Sequence, residues 1–140
     1  MKDLTEAEVL LEIPFHDVDS YRVVWHGNYA RYFEIARCRL LEPLNISYAQ
    51  MEAMGYFFPV IELQTRFLKP LVFGQKIQIR SRLLEWRNKL TIAYQIFDAA
   101  NGELHTKGKT SQVAISSEGL IQYEAPAVFI NTIEQAISCA

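Results

Sequence analysis

Two hydrophobic periods divide the chain. From Asn28 to about Leu41 the apolar residues Tyr29, Tyr32, Phe33, Ala36, Leu40 and Leu41 recur every three to four positions, with Arg31, Glu34, Arg37 and Arg39 supplying a polar side. That spacing predicts one long amphipathic helix with a single buried stripe. Asn28 stands where a capping side chain belongs, and Pro43 closes the helix because it cannot continue the hydrogen-bond ladder. Beyond Gly55 the period falls to two. Phe57 to Leu68 sets Phe57, Ile61, Leu63 and Phe67 against Glu62, Gln64 and Arg66, the pattern of a half-buried strand. Lys76 to Trp86 alternates Ile77, Ile79 and Leu83 with Gln78, Arg80 and Arg82, and Lys89 to Phe97 alternates through Leu90, Ile92, Tyr94 and Ile96. Glu103 to Ile115 is the last long strand. Lys69 to Gly74, Arg87-Asn88 and Asn101-Gly102 are connections, and strands joined by turns this short must run antiparallel. Val9 to Phe15 reads as a short first strand, Ser47 to Met54 as a short helix and Pro126 to Ser138 as a terminal helix.

The order strand, long helix, antiparallel meander predicts an α+β fold, one domain over 1–140, with the helix lying on the apolar face of one sheet. Such a sheet keeps open edges and an uncovered face, which favours pairing with a second subunit. The chain has 140 residues, half of them hydrophobic and 21% charged, a globular balance. A formal charge of -2 with interspersed signs gives no general attraction for nucleic acid. No apolar run approaches the roughly 20 residues of a membrane-spanning helix, so a soluble protein without membrane insertion is expected. Asp3, Glu6, Glu8 and Glu12 stand where a signal or transit peptide would be apolar or basic. Cys38 and Cys139, far apart, match no metal or disulfide framework, and a cytoplasmic protein is the expectation.

Functional groups crowd between the first strand and the long helix: His16, Asp17, Asp19, Tyr21, Arg22, Trp25, His26 and Asn28. A helix start offers unpaired amides and the positive end of a dipole, which can hold an oxyanion. A carboxylate just upstream can activate water or attack directly, and Asp19 has that position. Taken alone Asp19 is an ordinary turn former, His26 a residue that packs or caps, and Asp17 a brace for the loop. No fixed metal-ligand spacing occurs among these groups, no Gly-x-Ser-x-Gly elbow is present, and no glycine loop suited to phosphate appears. No metal or other cofactor is expected.

The run Asp17-Val-Asp-Ser-Tyr-Arg-Val-Val-Trp-His-Gly-Asn-Tyr-Ala-Arg-Tyr-Phe-Glu resembles the hotdog-fold thioesterases, specifically the 4-hydroxybenzoyl-CoA thioesterase group and its YbgC-like acyl-CoA thioesterases. Asp17, Asp19, Val23, Val24, Trp25, His26, Asn28, Tyr29, Phe33 and Glu34 fit the family pattern in order, and Thr65-Arg-Phe-Leu-Lys-Pro with Gly74 resembles its second and third strands. The resemblance implies a single hotdog domain, a five-stranded antiparallel sheet wrapped around one long helix. It implies hydrolysis of an acyl-CoA thioester in a homodimer or homotetramer, with an acyl carrier protein as the alternative bearer of the acyl group and a non-catalytic thioester binder as the other class. By position Asp19 becomes the catalytic carboxylate, the amides of His26 and Gly27 the oxyanion hole, and the His26 side chain an orienting group. Tyr21, Arg22, Trp25 and Tyr29 become substrate-binding candidates. Arg87 and Lys89, with Lys107 and Lys109, become candidates for the nucleotide phosphates, although each alone reads as a solvated strand end. Two departures stand out. Ser20, Tyr21 and Arg22 follow Asp19 where relatives often carry glycine, so the loop is expected to differ or to aim Tyr21 or Arg22 at the substrate. Phe15 replaces a tyrosine of some relatives.

Overall fold

The computed structural model describes residues 3–140. The long helix, α1 (Tyr29–Leu41), turns Tyr29, Tyr32, Phe33, Ala36, Leu40 and Leu41 inward, as its period requires. Around it curl β1 (Glu6–Glu12), β3 (Val60–Phe67), β4 (Lys76–Glu85), β5 (Leu90–Asp98) and β6 (Leu104–Gln112), in the sheet order β1-β4-β5-β6-β3 with every pairing antiparallel. This is the expected five-stranded hotdog architecture. Gly108 of β6 marks the closest approach, because a Cβ there would overlap the Phe33 ring. Phe33 in turn stacks on Tyr94 of β5, with centroids 4.6 Å apart.

Several boundaries differ from expectation, each for a physical reason. The first strand ends at Glu12, not Phe15, because Pro14 has no N–H to give the ladder, and Phe15–Asp17 curl into a 3-10 turn. The expected Phe57–Leu68 strand is split at Phe58-Pro59. Its first residues form β2 (Tyr56–Phe57), which pairs with β7 (Ile115–Ser116) in a separate two-stranded ribbon. What remains, β3, is an outer strand, and Ile61, Leu63 and Phe67 are 57%, 47% and 51% exposed, so it is not half-buried within one chain. Asn28 does not cap α1 through its side chain; its Nδ2 donates instead to the Asp17 carbonyl at 2.9 Å. Arg37, which the period assigns to the polar side, is only 3% exposed. Its Nε donates to the Tyr48 hydroxyl at 2.8 Å and its Nη1 to the Tyr94 hydroxyl at 3.2 Å, while Nη2 pairs with Glu34 at 3.1 Å. A buried guanidinium needs such partners, and three aromatic and acidic side chains supply them.

The short helix α2 (Tyr48–Ala53) starts on a capping box between Ser47 and Gln50. The terminal helix α3 (Ala127–Ser138) closes one end of the sheet, stacking Phe129 on Phe58 at 4.5 Å and burying Ile133. No described helix is long and apolar enough to cross a membrane.

Candidate active site

The chain between β1 and α1 forms one wall of a cleft. Val18 and Val24 form an isolated antiparallel bridge, so the loop doubles back on itself. Within it the Asp19 amide donates to the Val23 carbonyl and the Arg22 amide to the Asp19 carbonyl, both at 2.9 Å. Arg22 takes φ 67°, the left-handed conformation in which glycine is comfortable. Arg22 thus holds a backbone shape that glycine adopts freely. Tyr21 is 84% exposed and Arg22 also points to solvent, so in this chain neither side chain lines the cleft. The Tyr21 amide does serve: it donates to Asp19 Oδ1 at 2.8 Å and fixes that carboxylate's rotamer. The other oxygen of Asp19 accepts no hydrogen bond among the described residues.

Asp17 holds the loop to the helix. Only 2% exposed, it accepts a hydrogen bond from the Tyr32 hydroxyl at 2.6 Å, pairs with Arg31, and lies 3.5 Å from His16 Nε2. Burial works to raise its pKa, but the hydrogen bonds from Arg31 and Tyr32 and the charges of Arg31 and His16 outweigh it and hold the carboxyl below its ordinary value. Its carbonyl accepts from the Trp25 amide at 3.0 Å as well as from Asn28. The Asp17 brace expected from sequence is thus present, and its partners on α1, Arg31 and Tyr32, are the residues that sequence reasoning missed.

A 3-10 turn, His26–Asn28, leads directly into α1. The amides of His26 and Gly27 lie at this helix start, where no earlier carbonyl of the helix can accept them, and neither has a partner among the described residues. Trp25 packs against His26, with centroids 5.2 Å apart, and folds over Gly27 so closely that a Cβ there would overlap its ring. Gly27 is therefore needed for this packing as well as for an open amide.

The opposite wall comes from the segment after β3. Asp19, Val23, Val24, His26 and Tyr29 face Phe67, Leu68, Lys69 and Pro70 across a cleft of about 270 Å³. Tyr29 belongs both to the core and to this cleft, its ring edge-on to Phe67 at 4.8 Å, and burial pushes its hydroxyl pKa up. The second wall is pinned by His105, whose carbonyl accepts from the Leu68 and Lys69 amides at 2.9 and 3.0 Å and whose Nδ1 lies 3.1 Å from the Pro70 carbonyl. The Val24 amide donates to the Leu71 carbonyl at 2.8 Å and joins the two walls. Thr65 to Pro70 is visible in sequence as a family-like strand end, but not as a cleft wall. Trp25 lies beside the cleft, on Gly27. Arg87 and Lys89 lie at the β4–β5 turn, at the other end of the sheet, where Arg87 Nη2 bonds Glu134 of α3 at 2.5 Å; within one chain they are not brought to the cleft. Lys107 and Lys109 lie on the outer face of β6, also away from the cleft. Among the described residues no group of three potential metal ligands converges.

This arrangement can be set beside known proteins. The model of the thioesterase-like superfamily matches residues 13–132. The chain belongs to that superfamily. It is 30% identical to the acyl-CoA thioesterase YbgC of Helicobacter pylori over 81 residues, 58% of this chain and 59% of that one. It is 28% identical to YneP of Bacillus subtilis (strain 168) over 109 residues, 77% of this chain and 78% of that one. Among solved structures, the DHNA-CoA thioesterase from Staphylococcus aureus superposes with a TM-score of 0.83 at 27% identity, covering 96% of this chain and 89% of that one. A 4-hydroxybenzoyl-CoA thioesterase variant bound to 4-hydroxybenzoyl-CoA shares the fold, with a TM-score of 0.79 at 18% identity over 92% of this chain and 99% of that one. Both the family and the hotdog fold expected from the sequence are shown.

Proposed function

We propose that this thioester hydrolase cleaves an acyl-CoA to a carboxylic acid and free CoA, with Asp19 as the reacting carboxylate. The observation that carries the reading is the cleft of about 270 Å³ that Asp19 and His26 both line: the carboxylate has one uncommitted oxygen, and the amides of His26 and the adjacent Gly27 at the helix start are uncommitted among the described residues. A thioester carbonyl held there meets donors where its oxygen gains charge, and Asp19 on the same wall either takes the proton of an attacking water or attacks the carbon itself. The C–S bond breaks and the thiolate leaves and takes up a proton; on the direct-attack route water then hydrolyses the acyl–Asp19 anhydride to release the carboxylic acid and restore Asp19. His26 orients the acyl group, and the Tyr29 side of the cleft receives its apolar part. No cofactor takes part in this scheme.

The working unit in this reading is a homodimer seamed along β3. Its exposed Ile61, Leu63 and Phe67 and its unpaired outer edge are what a second copy would cover. A twofold seam pairs the two β3 strands antiparallel, so the second copy's sheet runs the other way. Its Arg87–Lys89 turn then comes to the Asp19 end of this chain, and the phosphate role of Arg87 and Lys89 is served across the seam. Two exposed cysteines without a disulfide suit a reducing cytoplasm.

The test is thiol release from a panel of short-chain, long-chain and aromatic acyl-CoAs by wild type and Asp19→Asn. Turnover by wild type that falls by about 10²-fold or more in the variant is expected, in the range of a positioned acid-base group. Full activity in the variant refutes the role of Asp19, and no release from any member moves the reading to a non-catalytic binder. In single-turnover hydrolysis in H₂¹⁸O, label in the Asp19 carboxylate establishes direct attack, with the anhydride opened at the Asp19 carbonyl.

A further inference from the structure

The strongly charged face of the molecule lies away from the cleft. Register carries two rows straight across the sheet: Glu6, Arg82, Ala93, Lys109 and Gln64, then Glu8, Arg80, Gln95, Lys107 and Arg66. Both rows point away from α1, because the intervening Ser81, Tyr94 and Gly108 point toward it. In these two rows β1 contributes Glu6 and Glu8, β4 Arg80 and Arg82, β6 Lys107 and Lys109, and β3 Arg66, with no charge from β5. Arg80 is neutralised by Glu8 at 3.1 Å and lies over the Phe97 ring at 4.9 Å. Arg66, Arg82, Lys107 and Lys109 are exposed and pair with no carboxylate among the described residues. They border two adjoining hollows of about 490 and 370 Å³ that share Lys107, and Ala93 keeps the floor of the larger one low.

We propose that this outer face is the docking surface of an acidic carrier protein that delivers the acyl thioester. The inference rests on the thioesterase reading and names its substrate's bearer. Arg66 and Lys107 are register partners on neighbouring strands, about 5 Å apart, Lys107 and Lys109 lie about 7 Å apart along β6, and Arg82 stands across Ala93 from Lys109, about 10 Å away. Carboxylates one turn apart on a helix face are spaced about 5–6 Å, so one acidic helix face spans Arg66, Lys107 and Lys109 and its next turns reach Arg82. A further copy of this chain laid back to back with its strands aligned on these would set the band against another basic band. The β3 seam instead joins two bands into one, doubling the attraction. Glu6 and Glu8 beside the larger hollow, and Glu62 on β3, interrupt the band where a continuous polyphosphate strand would run.

The experiment compares wild type with Arg66→Glu/Arg82→Glu, two positions outside the cleft. The acyl group turned over fastest in the panel is offered both on CoA and on a purified acyl carrier protein, and binding of the unacylated carrier is followed by fluorescence anisotropy. In the variant, KM for the acylated carrier and Kd for the carrier are expected to rise tenfold or more with kcat unchanged, while acyl-CoA kinetics stay within twofold. The Arg66→Gln/Arg82→Gln pair, which avoids repulsion with Glu6 and Glu8, should give an intermediate rise at unchanged melting temperature. Parallel loss on both substrates overturns the proposal in favour of a nucleotide-phosphate site, and no change in either overturns it outright. A wild-type tetramer that the variant splits into dimers also overturns it, as does tighter binding of a 20-mer duplex RNA than of the carrier. If wild type binds the carrier, loses it on charge reversal, yet hydrolyses nothing, the docking surface stands and the thioesterase reading falls. If it hydrolyses acyl-CoA and does not bind the carrier, the thioesterase reading stands and the docking surface falls.

Discussion

The two ends of the sheet are built from opposite materials. At the end where β4 turns into β5, α3 seals the core with the Phe58–Phe129 stack and Ile133, and the Ala125 amide donates to the Arg87 carbonyl at 2.8 Å. At the other end no described helix covers the sheet, and the chain spends Asp17, Asp19, Trp25, His26 and Gly27 on a half-open loop. Apolar burial secures the sealed end, whereas directional bonds shape the open one. Damage at the first should therefore appear in stability, and damage at the second in rate.

The contrast can be tested in descending order of effect. Phe129→Ala removes a fully buried ring and should cost about 3–5 kcal/mol, read as a lower urea midpoint at constant m-value, with kcat/KM per folded molecule kept. If kcat/KM falls with it, the two ends are not separable. Asp17→Asn leaves the Tyr32 hydroxyl and Arg31 without their anion and should cost about 2–3 kcal/mol. It should also lower kcat more than it raises KM, because the loop that aims Asp19 loosens. The sign of its pH dependence follows from a folded pKa held below the unfolded one. Asp17 contributes its stability above the unfolded value of about 4 and loses it as pH falls through the folded value, so the wild type should approach the variant's stability in acid. Gly27→Ala forces the half-exposed Trp25 ring off its seat. Its expected cost is under about 1 kcal/mol in stability and tenfold or more in kcat, because Trp25 swings into solvent while the amide shifts. The smallest change is expected from Arg22→Gly, where relief of the left-handed backbone offsets the added chain entropy to within about 1 kcal/mol. A larger gain would mean that the loop is under strain the rest of the fold sustains.

How much of this is legible in the sequence depends on whether neighbours along the chain are neighbours in space. The stripe of α1 and the alternation of β4 and β5 predict their buried faces, because period alone decides them. Asp19 and His26 stand out because the motif is local and both its parts flank one helix start. The period puts Arg37 on the wrong side, since its burial is made tolerable by Tyr48 and Tyr94, which other elements deliver. The Phe67–Pro70 wall reads as strand and connection only, because nothing in those residues announces the loop that packs opposite. Ile61, Leu63 and Phe67 carry a correct apolar pattern, but a single chain holds nothing to bury it.

The hydrogen bond from the Val24 amide to the Leu71 carbonyl acts as a crossbar over the cleft. With both walls tied at one point and each wall tied back to the fold, by Asp17 on one side and His105 on the other, the slot has a set width. On the proposed reading an acyl group then enters lengthwise, like a card into a reader, and thickness sets a harder limit than length. Branching or a second ring next to the carbonyl should be refused by a chain that still accepts long, thin tails.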